Sequence, residues 1–304
     1  MLTAGRELGL TVRGWSGLRF LAQRRQAAAL APRVINAHTG SGHCLALALA
    51  AGRACAVVRT RGDARPARSN LFTRFAASRT DLFIAANSEL EASLKSAFPM
   101  ARVRRVPQGL EGPPMASPLP AASIVGMLAR FDEVKGHETL LDAAALLKDA
   151  FADLRVRCAG EGDLLERLRW QLKPAGLEGA VDFPGHARDK WGFIASCRIA
   201  TTPSLGSEAV SRATLEWMAA GRAVVASRVG GLPDLIEDGV TGFLIPPGDA
   251  SALAEALSRL LLDPARASEM GRAARRRWEQ LFSLKPFYES TQQAYDEATS
   301  HLPS

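Results

Sequence analysis

Short apolar runs alternate with longer segments of helical period along most of the chain. A run of about four to eight apolar residues bounded by Gly, Pro, Asn or Asp is typical of a buried strand, whereas apolar positions three or four apart indicate a helix. In the first third of the chain the pattern predicts strands at 33–38, 54–60, 81–86 and 103–107, separated by helices at 42–52, 68–79 and 88–98. This alternation is typical of βαβ units on a parallel sheet.

The stretch 106–123, VPQGLEGPPMASPLPAAS, is rich in Pro, Gly and Ser and predicts an interdomain linker. Beyond this linker the alternation of predicted strands and helices continues. The predicted strands are 122–128, 153–160, 181–185, 198–204, 223–227 and 242–247, and the predicted helices are 136–149, 163–175, 188–196, 210–220, 233–237, 250–262 and 265–281. Six strands interleaved with helices predict a complete doubly wound domain.

Compared with a complete doubly wound domain, the first half of the chain lacks a βαβ unit at its start. A helix-like segment at 17–32 stands where a first strand, a Gly-rich turn and a helix are expected, and only a weak strand at 8–15 precedes it. We therefore predict an α/β chain of two doubly wound, Rossmann-like domains that face each other across a cleft, the first one truncated at its N-terminus. The expected boundaries are 1–115 for the first domain, 116–285 for the second, and 286–304 for a C-terminal helix that returns towards the first domain.

Composition narrows the class of protein. The 304 residues are 47% apolar, which suits sizeable cores and excludes a disordered chain. Cys44, Cys55, Cys158 and Cys197 are far apart and form no CxxC pair, which argues against a structural zinc site and against a disulfide-stapled secreted scaffold. No apolar run approaches the roughly 20 residues that span a bilayer. We expect a cytoplasmic protein without a metal, either soluble or peripheral on the inner face of the membrane.

The net charge of +7 is unevenly distributed. Residues 1–115 carry 17 Lys and Arg against 6 Asp and Glu, whereas residues 116–304 carry 21 against 25. A basic half can bind nucleic acid, an anionic membrane surface or an acidic substrate, or it can be an arginine-rich solvated surface. Its aromatic residues lack the pattern of a single-strand binder and it has no helix-turn-helix or zinc motif, so no nucleic-acid partner is expected.

Polar residues that directly follow the predicted strands are the candidates for ligand binding, because doubly wound domains bind ligands at the carboxyl ends of their strands. In VGMLARFDEVKGHETLL a strand ends at 126–128, and Arg130 and Lys135 follow before a helix opens near His137. Arg can donate two hydrogen bonds to phosphate oxygens and Lys supplies a point charge, which together suit a diphosphate. The alternative is that both residues are solvated cations on a loop. Gly160 follows another strand in CAGEGD, a weak signal that plain tight turns share.

The strongest candidate lies in TTPSLGSEAVSRATLEWMAAG, where Glu208 follows a strand and Glu216 comes eight residues later. A helix that starts near Ala209 would place its free N–H groups beside Glu208, where they could donate hydrogen bonds to phosphate oxygens. Glu216, two turns further along, could hold a ribose hydroxyl pair through its two oxygens. The alternative is a helix with an acidic cap and one surface glutamate.

Together these segments resemble the donor-binding domain of the retaining GT-B glycosyltransferases of family 4, the group 1 glycosyl transferases. The resemblance rests on VGMLARFDEVKGHETLLDAAALL, on the E-x7-E pair in SEAVSRATLEWMAAGRAVVAS and on VGGLPDLIEDGVTGFLIPPGD, within residues 122–300. Residues 1–115 are more loosely similar, through NAHTGSGH and IAANSELEASLKSAF. The resemblance implies a GT-B fold and transfer of a sugar from a nucleotide-sugar donor with retention of anomeric configuration, without a metal or other cofactor.

The resemblance also implies the site. Arg130 and Lys135 would bind the donor diphosphate and stabilise the leaving nucleotide, Glu208 would face the donor sugar, and these three are the expected catalytic residues. The amides of the three residues after Glu208 would cradle phosphate, and Glu216 would hold the ribose. The expected donor-binding residues are Gly126, Arg130, Lys135, Gly160, Glu208, Ala209, Val210, Ser211 and Glu216. The expected acceptor is a lipid-linked or surface glycan of lipopolysaccharide type, with the basic half resting on an anionic membrane.

The chain departs from the family pattern in three places. Ala209 and Val210 replace the usual Gly and aromatic after the first Glu, and Gly62 stands where many relatives carry His. Asp63 beside it and His38 in NAHTGSGH are the expected acceptor-side residues, with plain turn and loop roles as the alternative. The family's N-terminal strand and Gly-rich loop have no counterpart in the sequence. A non-catalytic nucleotide-sugar-binding remnant is therefore the main alternative; a sugar-nucleotide epimerase would need catalytic acids that the sequence does not identify.

Overall fold

The computed structural model describes residues 20–206 and 208–303, which form two parallel β-sheets flanked by helices. The first sheet has the strand order β1-β2-β3-β4. Its strands are β1 (Val34–Ala37), β2 (Ala56–Arg61), β3 (Leu82–Ala85) and β4 (Val103–Arg105), and its helices are α1 (Phe20–Leu30), α2 (Gly40–Ala50), α3 (Leu71–Ser78) and α4 (Ser88–Ala97). The four predicted strands are confirmed, whereas the weak strand at 8–15 lies outside the described residues.

The second sheet has the order β10-β9-β8-β5-β6-β7. Its strands are β5 (Ile124–Leu128), β6 (Arg155–Ala159), β7 (Val181–Gly185), β8 (Ile199–Thr202), β9 (Ala223–Ser227) and β10 (Gly242–Ile245). The helices are α5 (His137–Leu147), α6 (Leu165–Leu172), α7 (Lys190–Ser196), α8 (Arg212–Ala219), α9 (Leu232–Leu235), α10 (Ala250–Leu262), α11 (Pro264–Leu281) and α12 (Leu284–Thr299). The doubly wound α/β prediction is confirmed, and the strand order reverses between β5 and β8, where such sheets open a ligand crevice.

Burial explains why the strands of the second sheet appear as continuous apolar runs. Every residue of β8 and β9 is buried, since helices cover both faces of the parallel sheet. Gly126, in the middle of β5, is part of this packing: a Cβ there would lie 2.6 Å from Cys197 Sγ and from Trp217 Cη2. The missing side chain at Gly126 is thus explained by the core, and its predicted contact with a donor stays a prediction.

The last helix, α12, packs against the first sheet rather than the second. Ala294 and Ala298 are fully buried in the cluster that contains Ala56 and Val58 of β2. The Tyr295 hydroxyl accepts a hydrogen bond from Asn36 Nδ2 at 3.0 Å. The chain therefore crosses back after α11, so that both ends of the described chain contribute to the first sheet.

The predicted linker has no helix or strand, yet three arginines hold its backbone, one of which is Arg198, whose Nε donates to the Pro120 carbonyl at 3.2 Å. Arg222, which is fully buried, donates from Nη1 to the Ser117 carbonyl at 2.7 Å and from Nη2 to the Pro118 carbonyl at 2.9 Å. Arg275 of α11 donates to the Pro113 carbonyl at 2.9 Å. These bonds fasten the connection to the second sheet.

Within the described part of the chain, no helix has both the length and the apolar character that a bilayer crossing requires.

Candidate functional site

Two loops meet at the point where the order of the second sheet reverses. One follows β5 and the other follows β8, and they are joined by a backbone hydrogen bond from Leu205 N to the Val134 carbonyl at 2.8 Å. Gly136 allows this approach, because its φ of +73° favours glycine and a Cβ there would overlap the Pro203 carbonyl. Gly136 was not among the predicted site residues, although its place just before α5 is a usual one for a turn glycine.

The two loops bring together Lys135 and Glu208, which lie 73 residues apart in the chain. Lys135 Nζ donates to Glu208 Oε1 at 2.5 Å, and Ser204 Oγ donates to the same oxygen at 2.7 Å. Glu208 is 4% exposed and Ser204 is fully buried. A buried carboxylate needs such partners, so the pair is held in one geometry before any ligand arrives.

Arg130 lies on the same β5–α5 loop but in a different environment. Its side chain is 79% exposed, and Nη2 contacts Asp132 Oδ2 at 2.7 Å. The loop after β6 lies alongside, with Phe131 N donating to the Glu161 carbonyl at 2.9 Å. Gly160 is required there because a Cβ would overlap the Ala129 carbonyl. The structure thus gives Gly160 a positioning role towards the loop that carries Arg130.

The segment after Glu208 differs from the sequence prediction. Helix α8 begins at Arg212 rather than near Ala209, because its first helical bond runs from Leu215 N to the Ser211 carbonyl at 3.2 Å. The amides of Ala209, Val210 and Ser211 therefore lie before the helix. They donate no hydrogen bond to another described residue, so they are available to an anion together with the first turn of α8.

Glu216 has a partner that the sequence did not indicate. Lys190, the first residue of α7, donates from Nζ to Glu216 Oε1 at 2.8 Å, and Glu216 is 8% exposed. The Lys190 ammonium also lies 4.6 Å from the centre of the Trp191 ring. The two glutamates of the E-x7-E pair thus each contact a different lysine.

A cavity of about 390 Å³ opens between the two domains beside Glu208. Its lining from the second domain includes Glu208, Ala209 and Arg228, and its lining from the first domain includes Ala64 and Asn87. The two sheets therefore face each other with their carboxyl edges, as doubly wound domains do around a ligand.

Asn87 is a site residue that sequence reasoning missed. It is 2% exposed and caps α4, and its Nδ2 donates across the domains to the Ala209 carbonyl at 2.8 Å. The next amide, Ser88 N, donates to Asp234 Oδ2 at 2.6 Å. Its place directly after β3 is the signal that could have identified it, since the same rule selected Arg130 and Glu208.

The acceptor-side candidates lie at the carboxyl ends of neighbouring strands but do not line this cavity. His38 follows β1 and is exposed, and its pKa is lowered by desolvation and by the positive Arg59. Asp63 follows β2, is exposed and pairs with Arg61. The neighbouring Ala64 and Pro66 reach the cavity instead. Among the described residues no group of three or more His, Cys, Asp or Glu is arranged to hold a metal ion.

His137 gives the site a predictable pH dependence of stability. It is 3% exposed, stacks on Phe131 at 4.5 Å, and neither ring nitrogen bonds a described residue. Its pKa is lowered to about 4, chiefly by burial, with Lys135 contributing and Asp132 opposing. In the unfolded chain the histidine has a pKa near 6.5 and is protonated below that pH, whereas His137 in the folded protein stays neutral down to its lowered pKa. The free energy of unfolding should therefore fall as pH drops below about 6.5, by up to about 1.4 kcal/mol per pH unit.

Urea unfolding at pH 7, 6 and 5 measures this dependence. His137→Leu should remove part of the slope. The remainder is expected from His43, whose pKa is also lowered to about 4 by burial and by Arg59, and from His38, whose pKa is lowered by the same two causes. The matched substitution at an exposed position is His186→Leu. An unchanged slope in His137→Leu would contradict the assignment.

Residues 122–263 match the family model described as Glycosyl transferases group 1. The phosphatidyl-myo-inositol mannosyltransferase of Mycobacterium leprae (strain TN) is 38% identical over 137 residues, which are 44% of this chain and 36% of that protein. The aligned segments span 36% to 41% of the first curated relatives.

Solved structures extend the likeness to both domains. A glycosyltransferase from Rickettsia africae ESF-5 superposes with a TM-score of 0.83 over 98% of this chain and 88% of its own, at 16% identity. Anabaena HepE in complex with UDP superposes with a TM-score of 0.78 over 92% of this chain and 82% of its own, at 21% identity. These likenesses show the GT-B fold predicted from the sequence. With the match of residues 122–263, they make the chain similar to the Glycosyl transferases group 1 family in part of its sequence and to glycosyltransferases in its fold.

Proposed function

We propose that this chain is a retaining glycosyltransferase that moves a sugar from a nucleotide-sugar donor to a lipid-linked or surface-glycan acceptor. The observation that carries the proposal is the cavity of about 390 Å³ between the domains, where Glu208 is held by Lys135. A buried acid in contact with a cation, at the strand-order reversal of a parallel sheet, suits a ligand with both a sugar and a diphosphate.

The donor occupies the second domain in this proposal. Lys135 and Arg130 bind the diphosphate, and the amides of 209–211 with the first turn of α8 face its oxygens. Glu216, oriented by Lys190, accepts hydrogen bonds from the ribose hydroxyls. The UDP in the HepE complex supports a nucleoside diphosphate as the leaving group.

The transfer step requires no nucleophile from the protein. An acceptor hydroxyl oxygen forms a bond to the anomeric carbon while the bond from that carbon to the diphosphate oxygen breaks. The acceptor proton passes to the departing diphosphate on the same face, which retains the configuration. Negative charge develops on the diphosphate, where Lys135, Arg130 and the helix N-terminus stabilise it without a metal ion.

The acceptor enters from the first domain, past the carboxyl ends of β1 and β2 where His38 and Asp63 lie. The name of the Mycobacterium leprae relative, a phosphatidyl-myo-inositol mannosyltransferase, supports an acceptor that is linked to a lipid. A lipopolysaccharide-type glycan built on the cytoplasmic side of the membrane fits the same arrangement.

Contact with an anionic membrane is supported by helix α3. Leu71, Phe72 and Phe75 are 89%, 64% and 59% exposed on this one helix. Arg74 and Arg79 are exposed beside them, and no carboxylate of the described residues pairs with either. Apolar side chains flanked by arginines suit insertion into the headgroup region of an anionic bilayer.

Phe75→Ser should weaken binding to phosphatidylglycerol vesicles about fivefold, since one partly inserted aromatic contributes about 1 kcal/mol. Co-sedimentation with phosphatidylglycerol and with phosphatidylcholine vesicles measures this. Trp170→Ser removes an aromatic that is 80% exposed on α6 and should have no effect. Equal losses in both variants would contradict a membrane face on α3.

Calorimetric titration with nucleoside diphosphates and nucleotide sugars, paired with an assay of donor hydrolysis and transfer, tests the proposed function. One nucleoside diphosphate is expected to bind at least tenfold more tightly than its nucleoside, and the matching nucleotide sugar should be turned over. Binding without turnover would favour a non-catalytic remnant. Absence of binding to every nucleotide would refute the proposal.

A further inference from the structure

A second cavity, of about 510 Å³, lies within the first domain and is lined by four arginines. Arg59 and Arg61 come from the end of β2, and Arg65 and Arg68 come from the loop that follows. Among the described residues, no Asp or Glu lines it. This space, here called the arginine cavity, concentrates positive charge at the carboxyl edge of the first sheet.

Arg59 is the central member, because it is buried without a carboxylate in contact, Asp63 acting on it only from a greater distance. The residue is 6% exposed, and its Nη1 donates to the Ala37 and Thr60 carbonyls, both at 3.0 Å. Its Nε and Nη2 donate to no described residue, and no carboxylate in residues 20–206 or 208–303 lies within 4.0 Å of it. Because Arg59 lines the cavity, these two groups are available to donate to an anion that enters it.

The other walls define what kind of anion fits. Gly40 and Ser41 open helix α2 at the cavity, and their amides precede the first helical hydrogen bond, from His43 N to the Thr39 carbonyl. Free amides at a helix N-terminus favour phosphate oxygens. Phe72 and Phe98 form an apolar wall on the same cavity. The arrangement suits a phosphate group attached to a larger organic molecule.

The arginine cavity adjoins the cavity that contains Glu208. Pro66 lines both, whereas Ala64 faces the Glu208 cavity and Arg65 and Arg68 face the arginine cavity. A molecule whose phosphate is held by the arginines would therefore pass over Pro66 to reach Glu208.

We propose that the arginine cavity binds a phosphate group carried by the acceptor of the transfer. This rests on the proposed function, which places the acceptor in the first domain. The donor diphosphate is not the occupant, because the arginine cavity is lined by residues 40–98 alone, while Lys135 and the free amides of 209–211 belong to the second domain. The acceptor class is thus a phosphorylated glycan or a phosphate-linked glycolipid.

The test titrates the UDP-saturated chain with inorganic phosphate at constant ionic strength and follows binding by calorimetry. Saturation with UDP keeps free phosphate out of the donor site. Wild-type protein should bind phosphate, and the double variant Arg65→Ala/Arg68→Ala should bind it at least tenfold more weakly with unchanged affinity for UDP. Both arginines are exposed, so the variant is expected to fold, whereas Arg59→Gln removes bonds to two buried carbonyls.

The matched control is Arg25→Ala/Arg33→Ala, which removes two exposed charges from the same half of the chain outside the arginine cavity. It should bind phosphate like the wild type. Equal weakening in both double variants, or no phosphate binding in the wild type, overturns the inference while UDP binding leaves the proposed function standing. Phosphate binding that depends on Arg65 and Arg68 in a chain that binds no nucleoside diphosphate leaves an anion site but overturns its assignment to an acceptor.

Two phosphate sources are separated by a further titration with monomeric dihexanoyl phosphatidylglycerol. Tighter binding than inorganic phosphate, reduced by Arg65→Ala/Arg68→Ala, supports a lipid-linked acceptor whose chain covers Phe72 and Phe98. Binding no tighter than inorganic phosphate supports a water-soluble phosphorylated glycan. Binding of this lipid that is insensitive to the arginine variant contradicts a lipid phosphate in the arginine cavity.

Discussion

Glu208→Gln is expected to lower the rate of sugar transfer about a thousandfold, or roughly 4 kcal/mol of transition-state stabilisation. Glutamine keeps the size of the side chain and an oxygen that can accept from Ser204 and Lys135, so the loop geometry is retained. It loses the negative charge that would face the sugar as positive charge develops at its anomeric carbon. Release of nucleoside diphosphate in the presence of acceptor measures the effect.

The same substitution should not weaken donor binding. With Glu208 neutral, the Lys135 ammonium is no longer compensated, and its attraction for the diphosphate increases. A lower turnover with equal or tighter nucleotide affinity is therefore the signature of the proposed role. Glu255→Gln, at an exposed position on α10, is the control and should be indistinguishable from wild type. Transfer by Glu208→Gln within fivefold of wild type would remove Glu208 from the catalytic residues.

Alanine at Glu208 is a less informative variant than glutamine. It leaves Lys135 without its acceptor and also removes the acceptor of the fully buried Ser204 hydroxyl. Breaking one side of a buried pair destabilises a protein by a few kcal/mol. A loss of activity in Glu208→Ala would mix a chemical effect with a local rearrangement of the two loops.

The element order could be predicted from the sequence because the helices cover both faces of each sheet. Strands such as β8 and β9 are buried throughout, so each is a continuous apolar run flanked by turn residues. The rule that ligands bind after the strands then selected Arg130, Lys135 and Glu208 from two short loops. These predictions needed only local pattern and the geometry common to parallel sheets.

The pairings within the site could not be predicted, because they depend on packing between distant segments. Lys135 and Glu208 were each assigned to the donor, yet the structure also joins them to each other across 73 residues. Lys190 reaches Glu216 only because α7 and α8 lie side by side, and Asn87 reaches Ala209 only because the domains face each other. No pattern of apolar and polar residues in the local sequence predicts any of these three contacts.

The start of α8 shows a different limit. The sequence pattern predicted a helix over 210–220, with its start near Ala209. In the structure Gly231 N binds the Glu208 carbonyl at 2.7 Å and Asn87 binds the Ala209 carbonyl, so tertiary contacts take these carbonyls. The helix begins only at Arg212, which leaves three additional amides free beside Glu208.

Lys135→Met is expected to weaken UDP binding about 30-fold, which corresponds to roughly 2 kcal/mol and to the loss of one charge-assisted hydrogen bond. Lys135 is 19% exposed and already fixed by Glu208, so little ordering is needed when the diphosphate arrives. Arg130→Ala should have a smaller effect, about threefold, because Arg130 is 79% exposed and must leave Asp132 to reach a ligand. Calorimetry with UDP and with uridine measures both variants.

Uridine separates a charge effect from a structural one. It lacks the diphosphate, so its affinity should not change in Lys135→Met if the lysine acts on phosphate alone. Equal weakening of UDP and uridine would show that Lys135 acts through the shape of the loop. Lys173→Met, at an exposed position after α6, is the control for the lost charge. Because Lys135 and Glu208 are in contact, the effects of the two substitutions on UDP affinity should not be additive. In Glu208→Gln the lysine is no longer paired with a carboxylate and interacts more strongly with phosphate. Lys135→Met should therefore weaken UDP binding more in the Glu208→Gln background than in the wild type.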